Sequence, residues 1–391
     1  MKPWFFRPTA GRRLIALALG VMLSAPAYFS VAQSPVAHWT FDVGLNNYAT
    51  TTVEDVANDN DGVWQDMDGE AFDLSGLSYA AGRIGGAVKL GGGTDQFFLV
   101  DAIPQLDGIV PTPVIGAGDP VLGVGLTLSA WIYAPSTAAT GYKGLLKSRS
   151  ITDETSGGTG TGQDWGLAWE GGDHIDARLS GQALDSSAVI TRDAWHHVAM
   201  VWGNVDATAS FIPPAFRVYV DGTLEAEDAD SEVYELVSGG AWLIGEDSCC
   251  GGREFGGMLD DLAVFDSALS TAEVQTLYNN GLNGINASGV ATAPILPGDA
   301  DGDGDVSIDD FEIIRSNLTK TVTARNLGDL DGNRRVDLDD FQQWLDVAPA
   351  SLAAQAMAAL SSAAVPEPVS GTLAAVGVAA ALRRRRRLGC R

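Results

Sequence analysis

Between Val36 and Phe265 short apolar runs alternate with turns rich in Gly, Asp, Asn and Ser, the pattern of an antiparallel β-sandwich. It predicts strands over 36–41, 87–90, 97–100, 126–133, 165–169, 175–179, 195–202, 217–220, 242–244 and 258–265. Within 126–133, Leu126, Leu128, Ala130 and Ile132 fall on one face at period two. Val220-Asp221-Gly222-Thr223 predicts a two-residue hairpin, with Asp-Gly accepting positive φ. After the last strand, Ser270-Thr271-Ala272-Glu273 is a capping box that opens a short helix ending near Asn280-Gly281.

The pattern then changes. The segment 286–297 carries Pro294 and Pro297 among small residues and reads as a linker. Behind it, Gly298-Asp299-Ala300-Asp301-Gly302-Asp303-Gly304-Asp305-Val306-Ser307-Ile308-Asp309-Asp310-Phe311 recurs thirty residues later. The second copy is Gly328-Asp329-Leu330-Asp331-Gly332-Asn333-Arg334-Arg335-Val336-Asp337-Leu338-Asp339-Asp340-Phe341, identical at eight of fourteen positions. Each copy has the spacing of a twelve-residue calcium loop. Asp299, Asp301, Asp303 and Asp310 supply carboxylates in the first loop, and Asp329, Asp331, Asn333 and Asp340 supply side-chain oxygens in the second. Asp305 and Arg335 offer backbone carbonyls at position seven. Arg334 replaces the glycine that eases the turn at position six, so the second site is expected to be weaker or distorted. A short β contact is expected between Val306 and Val336. Pro297, directly before loop one, argues against an entering helix.

A loop followed by an exiting helix, in duplicate, resembles a type I dockerin over 298–347. The resemblance implies Ca2+ as cofactor and a cohesin-like partner, although Ile308-Asp309 and Leu338-Asp339 stand where many relatives carry Ser/Thr pairs. A calcium-stiffened stalk is the alternative. The sandwich segment resembles the laminin-G-like, concanavalin A-like jelly roll. That resemblance rests on Ala37-His38-Trp39-Thr40-Phe41-Asp42, Asn58-Asp59-Asn60-Asp61-Gly62, Gly85-Gly86-Ala87-Val88, Leu126 to Trp131, Trp195-His196-His197-Val198-Ala199, Val218 to Gly222 and Gly257 to Ser270. It implies two antiparallel sheets and a face that takes glycan or extracellular protein. Insertions at 109–123, 153–162 and 207–214 depart from the compact pattern.

The fold class expected is thus mainly β, an antiparallel jelly-roll sandwich (33–285), with a small helical module built on duplicated calcium loops (298–347). Residues 348–364 form an Ala/Ser-rich spacer, helical in part.

The ends read as addresses. Residues 1–32 hold a basic start, an apolar run and Ser30-Val31-Ala32, a secretory signal, with a membrane anchor as the alternative. Residues 365–391 run Val365-Pro366-Glu367-Pro368, a short apolar stretch and Arg383 to Arg387, which resembles a PEP-CTERM sorting signal. The resemblance implies a short transmembrane segment, transient membrane anchoring and an exosortase-type sorting enzyme. A plain C-terminal anchor is the alternative. Of the three cysteines, Cys390 lies in that tail, and adjacent Cys249 and Cys250 either sit in a rigid turn or pair under strain.

Charge narrows the function classes. The 391 residues carry 24 Lys+Arg against 50 Asp+Glu, and setting aside the basic ends leaves 14 bases against 49 acids. Such a body does not capture nucleic acid, which needs clustered Lys and Arg. Acidic loops instead suit divalent cations, and Asp42, Asp61 and Asp260 or Asp261 are candidates for a second calcium site in the jelly roll. No catalytic residue is assigned. Asp228-x-Asp230-x-Glu232 is the nearest approach to a carboxylate-bearing catalytic strand, and it reads as a solvated loop. His196 and His197 alternate across a strand and so cannot share a metal. The reading is an exported protein of the cell envelope, outer surface or extracellular space, non-catalytic, binding glycan or protein. A glycoside hydrolase component of polysaccharide catabolism is the alternative.

Overall fold

A computed structural model describes residues 33–42, 52–66, 78–91, 96–101, 103–109, 114–115, 124–149, 165–179, 182–204, 211–212, 214–229, 231, 241–247, 252–292 and 295–362. The expected signal (1–32), sorting segment (365–391), Cys249, Cys250, Asp230 and Glu232 lie outside them. Among the described residues no helix is long and apolar enough to cross a membrane.

The strands run β1 Ala37–Trp39, β2 Thr52–Val53, β3 Gly62–Asp66, β4 Ser78–Ala81, β5 Gly86–Gly91 and β6 Gln96–Val100. They continue with β7 Val114–Ile115, β8 Val124–Tyr133, β9 Lys143–Arg149, β10 Trp165–Glu170, β11 His174–Leu179 and β12 Gln182–Asp185. The remainder are β13 Trp195–Gly203, β14 Phe211–Ile212, β15 Ala215–Val220, β16 Thr223–Asp228, β17 Ala241–Ile244 and β18 Gly256–Ser267. The helices are α1 Thr271–Leu282, α2 Ile308–Asn317, α3 Leu338–Val347 and α4 Ala350–Ser362.

Two antiparallel eight-stranded sheets form the sandwich. The first is ordered β16-β15-β13-β8-β18-β5-β4, with β1 also pairing β18, and the second β12-β11-β10-β9-β17-β6-β3-β2. Every strand expected from the alternation is present; most are longer by one to four residues, and the first is shorter, Ala37–Trp39 in place of 36–41. The jelly roll is therefore the observed fold class, with the C-terminal helices forming a small separate layer. Leu126, Leu128, Ala130 and Ile132 do point together into the core, beside Trp39, Phe98, Trp165, Trp169, Trp202 and Trp242. The hairpin at Asp221-Gly222 has φ of +50° and +72°, as the two-residue turn requires. Two of the insertions meet each other, because β7 pairs with β14.

The outer faces of the two sheets differ. On the first, Ala199, Val201, Tyr219, Ala263 and Phe265 are covered by Val274 and Leu277 of α1, a second apolar layer. Ser270 caps that helix in a box closed by Glu273. The outer face of the second sheet carries no such apolar cluster among the described residues.

The segment expected as a linker is instead folded onto the sandwich over its first part. Ala287 is buried in the layer beneath α1, the Asn286 side chain accepts from the N–H groups of Ser288 and Val290, and Ile295 packs on the main core. The expected spacer is also structured: α4 packs on α2 and buries Ala356 completely. The small helical core joins Ala300, Phe311, Ile314, Val322, Leu330, Val336, Trp344 and Ala356.

Candidate functional site

Two regions bring chemistry-bearing residues together. The first is the pair of acidic loops. In loop one, Asp299, Asp301 and Asp310 present carboxylate oxygens within 4.8 Å of one another; in loop two Asp329, Asp331 and Asp340 do the same. Local hydrogen bonds explain the winding. Asp299 accepts from the N–H groups of Gly302 (2.7 Å) and Gly304 (3.0 Å), and Asp310 accepts from Ala300, Asp301 and Ser307. Loop two repeats this: Asp329 accepts from Asn333 and Arg334, and Asp340 accepts from Leu330, Asp331 and Asp337. Ser307 and Asp337 cap α2 and α3, each in a box with the last loop residue. One side chain, Asp310 or Asp340, thus closes the loop and starts the helix.

Arg334 sits at φ +66°, a left-handed conformation costly for a side chain, yet its N–H holds the Asp329 bond that Gly304 makes to Asp299. Among the described residues no backbone bond joins Val306 to Val336. Loop two pairs instead with 319–322, through Thr319 N–H to Val336 O (2.7 Å) and Val336 N–H to Lys320 O (3.0 Å). Leu338 is exposed.

Three of the loop acids are raised by burial and by their charged neighbours. Burial, then Asp310, Asp303 and Asp299, raises the carboxyl of Asp301. Asp303 foremost raises that of Asp305, and burial raises that of Asp340. The donor set is all oxygen and carries a large negative charge, which fits a hard divalent cation.

The second region is the outer face of the second sheet. Strand register lines up Val63, Leu99, Leu243, Lys147, Gly166, Arg178 and Ala183 across it. The row changes from apolar to basic at Lys147, which is fully buried. Lys147 donates to the Tyr142 hydroxyl (3.1 Å), and Arg253 and Arg178 lie 4.7 and 5.6 Å from the Tyr142 ring centre. Arg178 is paired with Asp176 and Arg253 with Asp247, both acids inaccessible to solvent. Beside them Glu170, Asp176 and Asp185, from three adjacent strands, bring carboxylate oxygens within 4.8 Å. Burial first, then Asp176 and Asp185, raises the carboxyl of Glu170; burial raises that of Asp176 against its Arg178 pairing. No motif announces this cluster, because its members come from separate strands.

Of the residues considered for a calcium site in the jelly roll, Asp61 lines the same pocket as Asp42 and accepts from the Asp55 N–H (2.9 Å). Asp42 accepts from Gly86 N–H (2.6 Å) and Asp260 from Ile84 N–H (2.8 Å). Asp261 accepts from His38 Nε2 (2.5 Å) and from Ala287 N–H. Burial and the neighbouring charges of Asp261 and Asp42 push the Asp260 carboxyl well above the usual range. His38 Nδ1 in turn meets the hydroxyl of exposed Ser288 (2.8 Å), so hydroxyl, imidazole and carboxylate stand in a line. The N–H groups of Ser288, Gly289 and Val290 are all taken by Asn286, so no donor pair remains beside the hydroxyl for an oxyanion. The line acts as a staple.

His196 and His197 point to opposite faces as expected. His196 bonds Asp221 and Thr191, and His197 is buried against Ser129. Asp228 ends the edge strand β16 and accepts from Gln182 (3.3 Å). Burial lowers the His197 imidazole to about 4. The unfolded chain takes up this proton below about pH 6.5 while the folded one resists until about 4, so stability is lost as pH falls through that window. The effect is worth about 3 kcal/mol. Denaturant titrations between pH 7 and 4 should show it, and His197→Gln should remove that part of the slope; an unchanged slope would refute the assignment.

Residues 114–275 match the family model of the concanavalin A-like lectin/glucanases superfamily, so this stretch is a domain of that kind. No curated protein matches the chain. Among solved structures the chain is similar to domain 4 of AbnA, a GH43 extracellular arabinanase from Geobacillus stearothermophilus, in complex with arabinotriose. The identity is 18%, covering 62% of this chain and 97% of that one, with a TM-score of 0.42. It is also similar to the Trypanosoma rangeli sialidase in complex with the inhibitor DANA, at 14% identity over 62% of this chain and 32% of the sialidase, TM-score 0.40. A third is the binding domain of Paraclostridial Mosquitocidal Protein 1, at 14% identity, 63% and 52% coverage and a TM-score of 0.41.

Proposed function

We propose that the chain is an exported binding protein whose jelly roll recognises glycan, and whose calcium-loaded helical module docks it to a partner. The observation that carries the glycan reading is the charged cluster on the outer face of the second sheet. There Tyr142 is set among Lys147, Arg178 and Arg253, with Asp176 and Asp247 held in the same layer. Rigid charged donors and acceptors around an aromatic ring suit the hydroxyl-rich edges and apolar faces of sugars. The duplicated loops support calcium: Asp299, Asp301, Asp303 and Asp310 with the Asp305 carbonyl would hold one ion, and Asp329, Asp331, Asn333 and Asp340 with the Arg335 carbonyl a second. Calcium there would neutralise the loops and fix α2 and α3. Export rests on the two terminal signals, and docking to a cohesin-like partner on the dockerin resemblance.

A glycan array probed with the full chain in calcium tests this. Binding is expected, reduced at least tenfold by Arg178→Ala; no binding to any glycan, or binding unaffected by that substitution, would count against the reading.

One observation favours hydrolysis as a second reading. Glu170 and Asp176 stand close enough, with carboxyls raised by burial, to resemble the acid and nucleophile of a retaining glycosidase. Release of reducing sugar from polysaccharide, abolished by Glu170→Gln, would establish this reading in place of the first.

A further inference from the structure

The two calcium loops are wound alike and surrounded differently. Gly302 and Gly332 hold the fourth position of each, at φ +78° and +70°. A Cβ on Gly302 would meet nothing within 4 Å, whereas one on Gly332 would fall 2.6 Å from the Tyr79 carbonyl oxygen. The sixth position repeats the contrast. Gly304 faces open space, while Arg334 is half-buried and its charge acts on the buried Tyr79 hydroxyl. Lys89 of β5 donates to the Asp331 carbonyl (3.0 Å). Loop two therefore lies against β4 and β5, and β4 is the last strand of the first sheet.

The connection between the modules is firm at both ends. Ile295 packs on the sandwich core, and buried Arg325 donates to the carbonyls of Asp299 and Leu296. The placement of loop two on the sheet edge is thus held from several points.

An open edge strand is a template for pairing with another chain, and folded proteins cover it. We infer that the second calcium loop is the cover for β4, so that calcium at this loop and closure of the sandwich edge are coupled. The inference rests on the calcium reading above. Its physical basis is that one segment, Asp329 to Arg335, carries both functions. The carboxylates of Asp329 and Asp331 converge on the ion position with Asp340, while the Asp331 carbonyl and Gly332 backbone touch the sandwich. Without a cation the carboxylates repel and the turn at Gly332 loosens. By linkage, whatever stabilises the wound loop stabilises the contact, and the contact favours the ion in return.

Hydrogen exchange on the full chain tests this, using calcium alone as the ligand. With calcium, the Ser78–Ala81 amides should be protected, and chelator should speed their exchange at least tenfold while β8 is unchanged. Gly332→Asn keeps the left-handed backbone accessible and adds a Cβ against Tyr79. In calcium it should deprotect β4 while α3 stays protected; Gly302→Asn should leave β4 untouched. If Gly332→Asn also deprotects α3, Lys89→Met serves instead and should raise β4 exchange several-fold. Two bound calcium ions with β4 exchange indifferent to chelator would overturn the coupling alone, as would equal effects of the two Asn variants. A titration showing no calcium binding would overturn the calcium reading and this inference together.

Discussion

Chelation of calcium from the intact chain is expected to abolish the circular-dichroism signal of α2, α3 and α4 and to leave the β signal of the sandwich in place. Within each loop three carboxylates lie within 4.8 Å. A like-charged pair at such a distance costs on the order of 4 kcal/mol at an effective dielectric near 20. The compensating core is small. Phe311, Phe341 and Trp344 lie within about 6 Å of one another, and Phe311, Trp344, Ile314 and Val336 form the buried centre with Phe341 partly exposed. A core of this size stabilises a small domain marginally. Three charge repulsions per loop exceed what it supplies, so metal binding and folding are one event. The helix starts depend on the same groups, since Asp310 and Asp340 close the capping boxes of α2 and α3. Asp299→Ala together with Asp329→Ala should reproduce the chelated spectrum in the presence of calcium. Helical signal indifferent to chelator in a protein shown to bind calcium would refute the argument.

The sandwich was legible in the sequence wherever a strand buries one face. Leu126 to Tyr133 and Trp195 to Trp202 alternate cleanly because one side meets the core and the other a thin outer layer. β9 was missed. In Lys143-Gly144-Leu145-Leu146-Lys147 the register shifts in its pairing with β10, which sets Leu145 and Leu146 both into the core and breaks the period of two. The short edge strands β2, β4, β12 and β16 were missed for another reason. Their partly exposed faces carry too few apolar residues to show a pattern.

The two acidic loops could be read residue by residue because all their side-chain oxygens come from twelve consecutive positions. The face of the second sheet could not. Tyr142, Lys147, Glu170, Asp176, Arg178, Asp185, Asp247 and Arg253 come from four strands and two loops, and only the register brings them together. The one hint was Lys147 and Asp176 next to the apolar residues Leu146, Ile175 and Ala177, a charge where burial would be expected. The contact of loop two with β4 was equally invisible, since nothing in the thirty-residue repeat distinguishes Gly332 from Gly302. Conversely, the Asp260-Asp261 pair was legible as important, although the backbone bracing it provides was not, because ligation and bracing use the same carboxylate.

That bracing yields the second large effect: Asp261→Ala is expected to destabilise the sandwich by about 3–5 kcal/mol. Asp261 sits at φ +48° in β18, where the neighbouring strand changes from β5, paired over 256–259, to β1, paired over 262–264. Its carboxylate ties three parts of the chain at that junction. His38 Nε2 in β1 donates to it at 2.5 Å, and the Ala287 N–H behind α1 donates at 3.1 Å. His38 is itself inaccessible, with its N–H bound to Asp55 and its Nδ1 to Ser288. Removing the carboxylate strands two buried donors, each costing about 1–3 kcal/mol, and forces alanine into a left-handed conformation at about 1 kcal/mol more. Asp261→Asn keeps an acceptor and tolerates that conformation, so it should cost about 1–2 kcal/mol. Urea denaturation of the full chain, following tryptophan fluorescence from the sandwich core in calcium, separates the two variants. Equal losses for Ala and Asn would mean that the charge, and with it a cation-binding role, matters more than the bracing; a loss below about 1 kcal/mol for Ala would mean that the junction is held by pairing alone.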